Sequence, residues 1–264
     1  MWFEDDIILF EVKSMKLHFL GTGAGTEPLY GTYHQSLALE INKNIYFFDC
    51  GEGCSRRAHL NGIDILKTKA IFISHTHMDH VGGLGNLLWN MRKIHSNHGY
   101  SGFVCPKEVY IPNIETYNGF MTILKNTEGG YNTNFSVTGK EYHSGEVYKD
   151  FNICVSAFEN SHMEKSYSLR IDSDGKSVVY SGDITSLSEL DAPIGNGCDM
   201  LICETGHIGF EDVCIYSKQK NIKNLCFSHN SREIIYHPIE SERTIRKLFG
   251  ENAFIAKDNM TVEL

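Results

Sequence analysis

Residues 75–80 read His-Thr-His-Met-Asp-His, which places four side chains able to bind metal, His75, His77, Asp79 and His80, within six positions. Imidazole and carboxylate together suit zinc, manganese or iron. One ion does not need four ligands from a single loop, so the cluster suits two. A lone histidine is more often a satisfied surface or core residue than a ligand. Three of them with an aspartate at this spacing rarely gather without a metal, because buried ionisable groups that bind nothing are costly.

Such a cluster needs a rigid support. The preceding run, Ala70-Ile-Phe-Ile-Ser74, is apolar and β-prone, and predicts a buried strand. Gly82-Gly83 and an apolar helical pattern follow. The cluster is therefore expected on a loop at the C-terminal end of a strand, where α/β folds place their chemistry.

His-x-His-x-Asp-His after a strand resembles the signature of the metallo-β-lactamase superfamily. The resemblance implies an α/β fold, a four-layer αββα sandwich, with a one- or two-metal site at one edge. It also implies a further histidine after a strand, an aspartate in a Gly-Asp pair, and a late histidine. His162 fits the first, since Ile153–Phe158 predicts a strand that ends just before it; His143, in a polar stretch, fits poorly. Asp183 fits the second: Val178-Val-Tyr180 predicts a strand reached by a turn at Asp172–Gly175, and Ser181-Gly182-Asp183 ends it. The bland alternative for Asp183 is a helix N-cap before Thr185–Leu190. His229 fits the third, on the exit loop of a strand at Leu225-Cys-Phe227.

The resemblance also implies a division of labour. One ion takes His75, His77 and His162; the other takes Asp79, His80 and His229; Asp183 bridges them. The cofactors expected are thus two divalent ions, zinc first, with manganese or iron as alternatives. Their shared water, acidified to hydroxide, is the implied nucleophile.

Two glycine-rich stretches narrow the resemblance. Phe19-Leu-Gly-Thr-Gly-Ala-Gly25 and Phe47-Phe-Asp-Cys-Gly-Glu-Gly53 are similar to the ribonuclease Z branch. Asp49 there has the further reading of a carboxylate that orients a metal-bound histidine. His207-Ile-Gly-Phe-Glu211, ahead of His229, matches the same branch and implies that His207 donates a proton to the leaving oxygen. Glu204, at the end of a strand at Met200–Cys203, would hold the imidazole's charge. The catalytic set implied is Asp79, His207 and Glu204. The alternative for His207 is a residue beside a helix N-terminus with no chemistry.

Departures from the branch bear on the substrate. The arm that grips tRNA is expected between the strand after the third histidine and the Gly-Asp pair; here Arg170–Gly182 holds little more than a turn. Glu27-Pro-Leu-Tyr-Gly-Thr-Tyr-His34 replaces the branch's basic loop, and Met78 stands where glycine is usual. The net charge of −9 argues against a dedicated nucleic-acid binder. The expected partner is a small-molecule or nucleotide phosphodiester; tRNA is disfavoured, and a homodimer remains open.

The 264 residues show no linker, and the candidate ligands span 75 to 229, so one domain is expected over 15–264, with 1–14 an extension of unassigned role. No apolar run is long enough to span a bilayer, and the acidic start is not a secretory signal, so no membrane partner and a cytoplasmic location are expected. The eight scattered cysteines read as reduced thiols. Residues 126–150, rich in Gly, Thr, Asn and Tyr, read as a long loop or irregular hairpin, near the substrate.

The leading expectation is a dinuclear phosphodiesterase. A hydrolase of a lactone or thioester would use the same hydroxide without His207. A mono-iron persulfide oxygenase of the same fold is disfavoured by Asp79, His80 and His229, which suit a second ion. A non-catalytic binding protein is disfavoured by the complete ligand set.

Overall fold

The computed structural model describes residues 14–25, 31–97, 104–127 and 130–264. Strands β1 (Met15–Gly21), β2 (Ser36–Ile41) and β3 (Asn44–Cys50) form an antiparallel meander. Helix α1 (Cys54–Leu60) leads to β4 (Thr68–Phe72), parallel to β3. Helices α2 (Met78–Val81) and α3 (Leu84–Asn97) cross to β5 (Lys107–Ile111), and α4 (Ile114–Lys125) crosses to β6 (Val137–Glu141); both strands are parallel to their neighbours.

The second half repeats the plan. β7 (Gly145–Lys149), β8 (Cys154–Asn160), β9 (Ser166–Ser173) and β10 (Lys176–Tyr180) run antiparallel. Then α5 (Asp191–Ile194), β11 (Cys198–Cys203), α6 (Phe210–Lys218), β12 (Ile222–Phe227), α7 (Arg232–Tyr236), α8 (Pro238–Leu248) and β13 (Ala253–Ile255) add three parallel strands. β14 (Thr261–Glu263) returns to the first sheet beside β1. The sheets run β14-β1-β2-β3-β4-β5-β6 and β13-β12-β11-β10-β9-β8-β7.

Successive strand residues point to opposite faces, and here both faces are apolar. Tyr46, Phe48, Ala70 and Phe72 face the second sheet's Val155, Leu169, Val178, Met200 and Ile202. Phe47, Ile71 and Ile73 face Leu84, Leu88, Met91 and Met121 of α3 and α4. Leu201, Cys203, Leu225 and Phe227 face Val213, Cys214 and Ile245 of α6 and α8. Three apolar layers thus separate four layers of structure, the αββα sandwich expected. Strands covered on both faces read as unbroken apolar runs, which is why β4 was visible in the sequence.

Two expectations need correction. Residues 126–150 are not a loop or hairpin: β6 ends the first sheet and β7 begins the edge of the second, so the segment carries the chain from one sheet to the other. Its described residues do not line the main cavity. The His75–His80 stretch is also not all loop, since Met78–Val81 closes into a turn of helix with His77 before it. The β9–β10 turn is as short as expected, with Asp174 and Gly175 between the strands. All eight cysteines are free. Among the described residues, no helix is long and apolar enough to cross a membrane. The proposed extension, apart from Ser14, and residues 27–30 of the Glu27–His34 stretch lie outside the described residues.

Candidate metal centre

The C-terminal ends of β3, β4, β8, β10, β11 and β12 converge, and each delivers one or more of the predicted residues. Asp49 sits at the end of β3, fully buried, with a left-handed backbone (φ 57°). Its carboxylate accepts from Ser74 N (2.7 Å), Ser74 Oγ (2.8 Å), Tyr180 OH (2.6 Å) and His80 Nδ1 (2.7 Å). A carboxylate can only accept, so His80 carries its proton on Nδ1 and turns Nε2 into the centre. Ser74 Oγ, which donates to Asp49, lies 3.1 Å from His75 Nδ1 and fixes that ring in the same sense.

The predicted ligands meet as two trios. His75 Nε2 and His162 Nε2 each lie 3.1 Å from His77 Nδ1. His229 Nε2 lies 3.2 Å from both His80 Nε2 and Asp79 Oδ2. Asp183 stands between them. Its Oδ2 is 3.7 Å from His75 Nε2 and 3.6 Å from His162 Nε2, while its Oδ1 is 3.3 Å from His80 Nε2 and 3.4 Å from His229 Nδ1. The helix-capping alternative for Asp183 does not hold: Ser186 caps the following turn, and its hydroxyl and Glu189 form a capping box. Gly182 brings Asp183 in with a φ of 57°, and a Cβ there would meet Tyr167 O at 2.8 Å, so only glycine fits.

These residues fit a pair of metal ions. Tetrahedral zinc with bonds of about 2.0–2.1 Å spaces ligand nitrogens about 3.3 Å apart, close to the separations within each trio. Asp183 Oδ1 is buried without a hydrogen-bond partner, a costly condition that a ligand role relieves. The titration of the groups follows their surroundings. Burial and the His80 charge hold His75 down at about 2, ready to donate a lone pair. Burial also opposes a charge on His80 and His229, but Asp183 with Asp49 overrules it in the first, and Asp183 with Asp79 lifts the second to about 9. Asp183 itself, although buried, is held well below the usual carboxylate range by His80 and His229. His229 adopts a left-handed backbone (φ 53°), a strained state that concentrates at functional sites.

His207 lies beside the trios, with its Nδ1 3.1 Å from both oxygens of Glu204 and its backbone N–H donating to Glu204 Oε2 at 2.8 Å. Its side chain is 42% exposed, so the ring reaches the solvent-facing cavity while Glu204 stays buried. The Glu204 carboxylate raises the His207 pKa against the effect of burial. Glu204 also accepts from Ile184 N, the residue after Asp183. The cavity above the centre measures about 1040 Å³; His77, Asp79, His162, Asp183, His207 and His229 contribute to its lining, with Met78, Ile208, Ile235, His34 and Arg232.

Every predicted ligand, with His207 and Glu204, is therefore brought to one place; His143 is exposed between β6 and β7, outside the cluster. Several residues of the site were not singled out by the sequence. Tyr180 reaches the centre through Asp49, Ser74 touches both Asp49 and His75, and His34 and Arg232 line the cavity. Asp258 lies beyond the residues that carried the resemblance.

Residues 15–260 match the family profile described as Anti-Pycsar protein Apyc1. A ribonuclease Z of Methanococcus aeolicus is 36% identical over 135 residues, which cover 51% of this chain and 38% of that protein. The chain therefore aligns with less than half the length of that relative. A ribonuclease Z of Shouchella clausii is 24% identical over a match covering 95% of this chain and 97% of the relative. The metallo-β-lactamase fold protein YhfI from Bacillus subtilis superimposes with a TM-score of 0.77 at 17% identity, covering 95% of this chain and all of that one. The sandwich is thus the metallo-β-lactamase fold.

Proposed function

The chain belongs to the Anti-Pycsar protein Apyc1 family, and from that premise and the geometry of its centre we propose that it is a metal-dependent hydrolase of phosphodiesters that uses two ions. The observation that carries this reading is Asp183, whose two oxygens face two separate trios of donor atoms. His75, His77 and His162 would hold one ion and Asp79, His80 and His229 the other, with Asp183 between them. Zinc suits this set of nitrogens and oxygens, and manganese or iron would also be accepted. When bound, such a pair supplies hydroxide at neutral pH and draws charge from the phosphoryl oxygens.

The protein's own groups do the rest. Asp49 keeps a proton on His80 Nδ1, so Nε2 is the nitrogen that would give up its own proton to an incoming ion. Glu204 holds His207 protonated and aimed at the cavity, where it gives its proton to the departing alkoxide. The relatives named ribonuclease Z support a phosphodiester as substrate. A lactone or thioester hydrolase would have no use for the Glu204–His207 pair. Turnover of bis(p-nitrophenyl) phosphate by zinc-loaded protein, with a panel of lactones beside it, tests the choice. Turnover of lactones alone would reverse it.

Zinc titration of metal-free protein is expected to saturate at two ions per chain by elemental analysis. Saturation at one would remove the dinuclear assignment. The substrate is expected to be a small-molecule or nucleotide phosphodiester in preference to tRNA. The β9–β10 connection is a tight turn where a gripping arm would sit, and the charge of −9 opposes the phosphate contacts that supply most nucleic-acid affinity. Cleavage of precursor tRNA at physiological salt should thus be inefficient beside a screen of small phosphodiesters and cyclic nucleotides. Specific, efficient 3′-end cleavage would contradict this.

A further inference from the structure

Asp258 lies in the turn between β13 and β14, at the far end of the chain from the His75–His80 stretch. The turn is fixed to the first strand: Asn259 N donates to Phe19 O (2.7 Å), and Phe19 N donates to Met260 O (2.9 Å). From this footing the carboxylate accepts three hydrogen bonds. Its Oδ1 takes Thr22 N (2.9 Å) and Thr22 Oγ1 (2.8 Å), and its Oδ2 takes Tyr33 N (2.8 Å). It therefore holds Thr22 and Tyr33 at a fixed separation, which Gly23 N reinforces by donating to Tyr33 O (2.9 Å).

Two further bonds run from these residues to the centre. Gly25 N donates to Asp79 Oδ2 at 3.0 Å, the oxygen that lies 3.2 Å from His229 Nε2. Thr22 O accepts from Asn230 N at 2.7 Å, and so pins the backbone next to His229, whose left-handed φ needs an external constraint. Both bonds end on one trio. His75 is supported instead by Ser74 Oγ, itself bonded to Asp49, and His162 N rests on Asn160.

We infer that Asp258 is a positioning residue for the ion held by Asp79, His80 and His229, and not for the ion held by His75, His77 and His162. It acts through Gly25 on the Asp79 carboxylate and through Thr22 on the backbone of His229. The inference rests on the two-ion reading above. Groups that orient metal ligands typically change metal affinity about 10- to 100-fold when lost.

Asp258→Asn keeps Oδ1 but turns an amide NH₂ towards Tyr33 N, so it breaks one arm of the tie with little change in volume. The test is competitive zinc titration of metal-free protein against a chromogenic chelator, with melting temperatures recorded in parallel. Asp258→Asn should weaken one of the two zinc ions about 10-fold or more and leave the other within about threefold. In a His162→Ala background, where the Asp79 trio is intact, the same substitution should weaken zinc by the same factor. In an Asp79→Ala background it should have little effect. A merely structural residue would weaken both ions together. Should Asp258→Asn fail to fold, Thr22→Val removes only the hydroxyl bond to Oδ1, and should weaken the same ion about threefold, the size of one modest hydrogen bond. Two zinc ions that are both indifferent to these substitutions, or both weakened equally, would overturn the inference and leave the dinuclear reading standing. Wild-type protein that saturates at one zinc would overturn both.

Discussion

Asp183→Ala is expected to reduce phosphodiester turnover at least about 100-fold in a protein that remains folded. The side chain is 3% exposed and touches both trios, yet the fold does not lean on it: Oδ1 has no hydrogen-bond partner, and the capping of the next turn belongs to Ser186 and Glu189. Alanine would remove the one negative group that faces His75, His80, His162 and His229 together. Two ions held without it would repel one another across a shared solvent gap, so zinc content should fall along with turnover. Circular dichroism melting, zinc analysis and turnover of bis(p-nitrophenyl) phosphate together check the result. A folded variant with near-normal turnover would place the bridge elsewhere.

His207→Ala is expected to slow the chemistry without emptying the centre. A general acid contributes about 10²–10⁴-fold, and that full loss should appear with a phosphodiester whose alkoxide leaves poorly. With p-nitrophenolate, which departs without a proton, the loss should shrink. Glu204 accounts for both the orientation and the charge of the ring, through two contacts of 3.1 Å and a raised pKa. The competing role is concrete, because Asp183, Glu204, His207 and His229 also bring donor atoms within 4.8 Å of one another. Bound zinc must therefore be counted in the same samples. Equal losses on the two substrates, or one fewer zinc, would make His207 a ligand or a structural residue.

The parts of the centre that the sequence made legible are those carried by local order. His75, His77, Asp79 and His80 follow an apolar strand buried on both faces, Asp183 and His229 each stand just beyond another mostly buried run, and His162 follows the alternating strand β8. What stayed hidden depends on approach in space. Nothing near Tyr180 says that its hydroxyl ends on Asp49, and nothing near Asp258 says that it ties Thr22 to Tyr33. β6 and β7 escaped notice for a different reason. Both lie at sheet edges and are largely exposed, so Val137-Thr-Gly-Lys-Glu141 and Gly145-Glu-Val-Tyr-Lys149 need no apolar alternation. Their polar composition reads as loop.

Each trio draws on both sheets: His75 and His77 on the first with His162 on the second, Asp79 and His80 on the first with His229 on the second. At ~5–20 residues per second, the ribosome needs roughly 8–30 s to travel from His75 to His229. During that interval the Asp79–His80–His229 trio lacks its last member, and the His75–His77–His162 trio lacks its own until His162 has been made. On the two-ion reading, an ion would find its full set of donors in fixed geometry only after both sheets have docked. On the same reading, a tightly binding wrong metal, copper above all in the usual affinity order, would meet no finished site before that docking.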